Sequence, residues 1–403
     1  MIARSNTMIN EKMMQLGNVR SVIRELFEYG KKRIAEVGAE NVYDFSLGNP
    51  SVPAPAEVNA ALIELLQTKD DNYLHGYTSA QGDANTRAAI AADLNKRFGT
   101  AFCADNFYMT CGAAASLKIS LTALYTPGDE VITFTPYFPE YRVFVETTGA
   151  KFVEVQSDPD TFQIDFDNLE AAINEKTKSI IVNSPNNPSG VVFKTESIEK
   201  LAKLLEERSA EYGHPIYLIT DEPYRELVYD AETEVPYVTK YYKNTIVCYS
   251  YSKSLSLPGE RIGYILVPDE IENSADVYAA VCGAGRALGY VCAPSLAQHM
   301  IEKCTGLVSD LSIYKENRDL LYNTLTEYGY SCVYPDGAFY LFVKTMEPDA
   351  GAFCERAKAH DLLLVPADSF GTPGYLRIAY CVRTDMIRRA LPAFKALADE
   401  YRS

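Results

Sequence analysis

Residues 245–264 read TIVCYSYSKSLSLPGERIGY. A β-branched, apolar run, TIVCYS, gives way to a polar segment in which Lys253 stands between two serines, and Arg261 follows eight residues later. The run reads as a buried strand. A lysine and an arginine just past its carboxyl end read either as surface charges on a polar turn or as part of a site. The other strands decide between them.

Runs of the same kind recur between about residues 100 and 270: DNFYMT, DEVITF, KFVEV, SIIVNS, PIYLIT and IGYILV. Longer segments with apolar residues at helical spacing separate them, such as ESIEKLAKLLEERSAEYG. Strands alternating with helices predict an α/β fold whose mostly parallel sheet is flanked by helices on both faces. After about residue 295 the pattern changes to YSCVYPDGAFYLFVK, a helix, LLLVPADSFG and YLRIAYC, which predicts a smaller α+β domain packed with the N-terminal segment. The expected division is 1–50 for an N-terminal arm and part of the small domain, 51–294 for the large domain and 295–403 for the C-terminal small domain. No repeat or low-complexity tract is visible.

Composition narrows the function classes. A chain of 403 residues, 47% hydrophobic, supports cores of this size. Its 38 Lys+Arg against 54 Asp+Glu leave a formal charge of −16, which repels phosphate backbones and anionic lipid; neither nucleic acid nor membrane is an expected partner. Nine scattered cysteines without a CxxC pair read as reduced thiols of a cytoplasmic protein. His75, His214, His299 and His360 lie far apart in sequence, so no metal is expected. The N-terminus lacks an apolar signal region and reads as an amphipathic arm and helix, and no apolar run reaches the length of a membrane span. No P-loop pattern is present, and no GxGxxG follows a strand.

The segments just past the strands are more specific. DNFYMT leads into CGAAASLK, DEVITF into TPYFPEY, SIIVNS into PNNPSG, PIYLIT into DEPY, and TIVCYS into YSKSLSLPGER. Each segment alone has a plain structural reading, as a turn, a helix cap or close helix–sheet packing. In doubly wound sheets, however, ligands bind beyond the carboxyl ends of the strands. Five such segments at one sheet edge imply a single site.

These residues resemble the pyridoxal-phosphate-dependent aminotransferases of class I/II, with the fold type I (aspartate aminotransferase-like) architecture. The resemblance runs from about Asp44 to Arg388. It rests on NNPSG at 186–190, DEPY at 221–224, SYSKS with GERIGY between 250 and 264, YTSAQG at 77–82, PDGAFY at 335–340 and LRIAY at 376–380.

The resemblance implies that Lys253 forms the internal aldimine with pyridoxal 5′-phosphate and then acts as general base and acid. Asp221 would face the pyridine nitrogen, Asn187 and Tyr224 would donate to the ring phenolate oxygen, and Phe138 would stack on the ring. Ser250, Ser252 and Arg261 would hold the phosphate with the backbone N–H groups of Ala113 and Ala114 at a helix start. That corner departs from many relatives, because CGAAA carries no hydroxyl where a serine or threonine often helps. Tyr77 resembles the tyrosine that reaches the phosphate of a neighbouring subunit, implying a homodimer with a shared site. Arg377 resembles the clamp on the substrate α-carboxylate, with Gly48 and Asn187 nearby.

Amino acids and 2-oxo acids are the implied partners. Aspartate or glutamate with 2-oxoglutarate is the leading pair; alanine or aromatic amino acids are the alternative. Arg286, in CGAGRALGYVCAP, lies near the region where one branch of the family carries a second carboxylate-binding arginine, although its spacing to Pro294 does not match that branch. Tyr73, His75 and Tyr290 are further pocket candidates without roles. A carbon–sulfur β-lyase of the same fold would use the same lysine and arginine. A ligand-sensing regulator would need a basic DNA-binding domain ahead of the fold, and about 40 acidic-chain residues precede the resemblance here.

Overall fold

The computed structural model describes residues 9–18 and 22–402. Residues 1–8 of the expected N-terminal arm lie outside the described residues. All seven apolar runs form strands of one sheet. In chain order after a short β1 (Tyr43–Asp44) they are β2 (Phe107–Thr110), β3 (Glu130–Thr135), β4 (Lys151–Gln156), β5 (Thr177–Asn183), β6 (Tyr217–Asp221), β7 (Thr245–Ser250) and β8 (Gly263–Leu266). The spatial order is β2-β8-β7-β6-β5-β3-β4. β7, β6, β5, β3 and β4 run parallel, and β8 is antiparallel to both its neighbours.

The sheet is buried on both faces because successive residues feed different cores. Ile132, Ile180 and Leu218 pack with Ile198, Leu201 and Leu205 of the helix Thr195–Tyr212. Their chain neighbours Val131, Ile181 and Ile219 pack on the opposite face with Leu117 and Leu121 of the helix Ala113–Leu124. This covering on both sides is why the runs are continuously apolar instead of alternating.

The C-terminal part forms a second sheet from β9 (Ser331–Val333), β10 (Tyr340–Lys344), β12 (Val365–Pro366) and β13 (Tyr375–Ala379), in the order β12-β13-β10-β9 and antiparallel throughout. The helices Ser312–Glu327 and Thr384–Asp399 cover it through Leu321, Leu325, Ile387 and Phe394. The N-terminal segment joins this part, β1 pairing in parallel with β11 (Leu362–Leu363). The helix Ser295–Cys304, expected with the C-terminal part, packs instead with the large sheet's helices. Ala297, Met300 and Ile301 share a core with Val58, Leu94, Val247 and Leu266.

Candidate active site

The carboxyl ends of the parallel strands open onto a cavity of about 290 Å³ between the two sheets. In register, Asn183 at the end of β5 lies beside Asp221 at the end of β6, and Asp221 beside Cys248 of β7. Strand pairing therefore sets neighbouring side chains at one edge.

Lys253 lies in the single helical turn Tyr251–Ser254 that follows β7, where the Ser250 hydroxyl accepts the Ser252 backbone N–H. Its amine donates to the Gly48 carbonyl at 2.7 Å. Burial lowers its pKa to about 8, with the charges of Arg261 and Arg377 acting in the same direction and Cys381 opposing. A substantial share of the amine is thus neutral near pH 8, where a free lysine is almost fully charged. Gly48 is required by close approach: a Cβ there would overlap the Tyr340 hydroxyl.

Asp221 is buried, and the Tyr141 hydroxyl donates to its Oδ2 at 2.5 Å while Oδ1 has no partner. Burial raises its pKa to about 7 against the Tyr141 hydrogen bond, and Glu222 adds to the rise. Asn183 braces this corner twice, donating to the Asp221 carbonyl at 2.8 Å and accepting the Asn187 backbone N–H at 2.7 Å.

A second cluster gathers around Arg377, which is 2% exposed. Its Nη1 donates to Asn187 Oδ1 at 3.1 Å and its Nη2 to the Ser46 carbonyl at 2.6 Å, while Nε has no partner. Its guanidinium lies over the Tyr340 ring, 4.7 Å from the centroid. The Tyr340 hydroxyl pairs with that of Tyr224 at 2.9 Å.

The third cluster is an anion cradle. Gly112, with φ of +86°, precedes the helix Ala113–Leu124, and a Cβ on it would press to 2.8 Å from an Arg261 guanidinium nitrogen. Arg261 itself has φ of +49°, a left-handed conformation that costs a side-chain-bearing residue about 1–2 kcal/mol. Its Nη1 approaches the Ser252 hydroxyl at 3.4 Å, and that hydroxyl pairs with Ser250 at 2.7 Å. A guanidinium, two hydroxyls and a helix N-terminus thus face one corner, which suits a phosphate. Half-buried Phe138 lines the cavity, its ring edge-on to Tyr141 at 5.7 Å.

The cavity brings together twelve sequence-predicted residues: Gly48, Ala113, Ala114, Phe138, Asn187, Asp221, Tyr224, Ser250, Ser252, Lys253, Arg261 and Arg377. Tyr77 and Arg286 lie outside its lining. Tyr77 is 97% exposed, and Arg286 is exposed in the last turn of the helix Ser274–Leu288. Sequence reading missed Asn183, Tyr340 and Ile23 in the lining and Tyr141 behind it. Tyr340 closes the PDGAFY motif and Tyr141 the segment TPYFPEY, so both stood inside recognised stretches. Ile23 carries no such signal.

A family model, aminotransferase class I and II, matches residues 39–394. An amino transferase from Eubacterium rectale shares 63% identity and superposes with a TM-score of 0.97 over 98% of this chain and 100% of its own. An aspartate aminotransferase from Thermus thermophilus, solved with maleate, shares 25% identity with a TM-score of 0.83 over 97% of this chain and 100% of its own. The aspartate/prephenate aminotransferase of Thermus thermophilus is 30% identical over 352 residues, 86% of this chain and 88% of that protein.

Proposed function

We propose, for a chain that belongs to the class I and II aminotransferases, that it uses pyridoxal 5′-phosphate to move an amino group from L-aspartate or L-glutamate to a 2-oxo acid. The observation that carries this reading is the meeting of three groups around one cavity. They are a lysine amine with its pKa lowered to about 8, a buried carboxylate with a free oxygen, and a buried guanidinium with a free Nε.

The residues fit the cofactor group by group. The free Asp221 Oδ1 suits a protonated ring nitrogen, an attraction of about 4 kcal/mol at contact with an effective dielectric of 20. The cradle of Arg261, Ser250, Ser252 and the Ala113 and Ala114 N–H groups suits its phosphate. Lys253 would be the point of covalent attachment, and Asn187 and Tyr224 would donate to the ring oxygen. Pyridoxal 5′-phosphate, when bound, supplies a reactive carbonyl carbon and a ring that takes up electron density.

This chain's own residues then bind, orient and move protons. Arg377 holds the substrate α-carboxylate through its planar fork, fixed in position by Asn187 and the Ser46 carbonyl. Lys253 Nζ takes the proton from the substrate Cα and returns it, and a pKa near the working pH suits both directions. Phe138 excludes water from one side.

A dicarboxylate needs a second cation, and the described cations of the lining are Lys253, Arg261 and Arg377, each already assigned. We assign that role to Arg286 of a second copy in a homodimer. The 97% exposure of Tyr77 supports the same assembly, with this tyrosine reaching the phosphate of the second copy's cavity. The maleate bound by the Thermus thermophilus aspartate aminotransferase is itself a dicarboxylate, which favours aspartate and glutamate.

The test is to load the protein with pyridoxal 5′-phosphate, record its visible spectrum and add L-aspartate without a keto acid. Conversion to pyridoxamine 5′-phosphate with stoichiometric oxaloacetate is expected. Ammonia release with the starting spectrum restored would make the protein a lyase. A spectrum that responds to alanine or aromatic amino acids and not to aspartate would move the substrate class, and no spectral sign of covalent cofactor would remove Lys253 from its role.

A further inference from the structure

Away from the cavity, three metal-ligating side chains converge beside the helical segment Asp71–His75. Asp83 caps the helix Ala84–Phe98, its Oδ2 accepting the Thr86 backbone N–H at 2.8 Å and the Thr86 hydroxyl at 3.0 Å. His299 and Glu302 stand one helical turn apart on the helix Ser295–Cys304. One ligand atom from each of the three lies within 4.8 Å of the other two.

The imidazole is set up as a ligand. His299 is 2% exposed, its Nε2 meets the Tyr73 carbonyl oxygen at 3.2 Å, and its Nδ1 has no partner. With the proton on Nε2 and donated to that carbonyl, Nδ1 presents an unprotonated lone pair. A second nitrogen held by a backbone carbonyl is the usual support of a metal-bound histidine. The Tyr73 ring stacks on the imidazole with centroids 4.2 Å apart and planes at 21°, which fixes its orientation. Leaving Nδ1 buried and unpaired costs its full desolvation. The nearby Lys303 amine is already bonded to Glu64 at 2.6 Å.

We propose that Asp83, His299 and Glu302 form a binding site for a divalent first-row transition cation, with His299 Nδ1 as its nitrogen ligand. One imidazole and two carboxylates suit Mn²⁺, Fe²⁺ or Zn²⁺, whereas Mg²⁺ and Ca²⁺ prefer oxygen alone. Asp83 and Glu302 are half-buried, so water completes the coordination. None of the three lines the Lys253 cavity; the cation staples the start of Ala84–Phe98 to Ser295–Cys304 and acts on stability.

The test is a Mn²⁺ titration of the full chain loaded with pyridoxal 5′-phosphate, with free Mn²⁺ read by electron paramagnetic resonance. Mn²⁺ is chosen because the nine free cysteines favour softer metals. One Mn²⁺ should bind per chain, displaced by Zn²⁺ but not by equal Mg²⁺. Glu302→Gln, a near-isosteric change at a half-buried position, and His299→Gln should each weaken binding on the order of tenfold or more. Mn²⁺ should also raise the melting temperature of the wild type and leave that of Glu302→Gln unmoved. No binding by the wild type, binding unchanged in Glu302→Gln, or equal displacement by Mg²⁺ would each overturn the site.

Discussion

Tyr141 donates its hydroxyl hydrogen to Asp221 Oδ2 at 2.5 Å, and Oδ1 of the same buried carboxylate has no partner. One oxygen is anchored by Tyr141 while the other has no partner. Burial in this half-satisfied state raises the carboxyl pKa to about 7 from an ordinary value of 3.8.

That shift has a thermodynamic consequence in the cofactor-free protein. The folded state favours the protonated carboxyl, so the associated stability is present below about pH 4 and is lost as pH rises towards about 7. Asp221→Asn keeps the shape and stays neutral. Its melting temperature relative to the wild type should therefore climb between about pH 4 and pH 7 and level off above, within a ceiling of about 4 kcal/mol. With cofactor present the same variant should lose most activity, because the ring nitrogen loses its counter-charge. A difference in melting temperature that does not vary with pH would mean that the carboxylate is not strained.

Removing the anchor instead of the acid tests the other half of the relationship. Tyr141→Phe leaves Oδ2 without its donor, and a hydrogen bond to a charged group contributes about 1.5–3 kcal/mol. Cofactor affinity should fall roughly 10–150-fold by that figure, with the fold intact. Equilibrium titration of the cofactor-free variant measures it, and wild-type affinity would show that Tyr141 does not hold the carboxylate in place.

Lys253 should reveal its lowered pKa in how fast it takes up cofactor. Only the neutral amine attacks a carbonyl, so the attachment rate should rise with pH through a midpoint near 8 and level off above it. A midpoint near 10.5 in stopped-flow traces would show an ordinary, solvated lysine. Lys253→Ala should fold, hold cofactor without a covalent bond and lose turnover by at least about 10²–10⁴-fold.

The seven strands of the large sheet were legible because burial on both faces writes itself into each as an apolar run. Their polar followers were legible because parallel strands deliver their carboxyl ends to one edge. Position across the molecule was not. Tyr340 stood inside a recognised motif, but its place beside Arg377 comes from the antiparallel register that pairs Phe342 with Arg377, a relationship between distant segments. The helix Ser295–Cys304 shows an apolar face without saying which core receives it. His299 and Asp83 lie far apart in the sequence, so no ligand spacing could link them. The roles proposed for Tyr77 and Arg286 need a second copy, and a single chain places both at its surface.

Arg377 and Tyr340 separate binding from chemistry. Arg377→Lys keeps the charge but loses the planar fork, and the partners Asn187 Oδ1 and the Ser46 carbonyl are spaced for two parallel nitrogens. The apparent KM for the amino acid should rise and kcat/KM fall roughly 10–150-fold, the range of one charged hydrogen bond. Tyr340→Phe keeps the ring under the guanidinium and removes only the hydroxyl that meets Tyr224 at 2.9 Å. A neutral hydrogen bond of about 0.5–1.5 kcal/mol predicts a fall of roughly 2–13-fold, expected in kcat because the role proposed for Tyr224 is on the cofactor ring and not on the carboxylate. Steady-state kinetics on both variants distinguish the two roles. A Tyr340→Phe defect confined to KM would place its hydroxyl on the substrate instead of behind Tyr224.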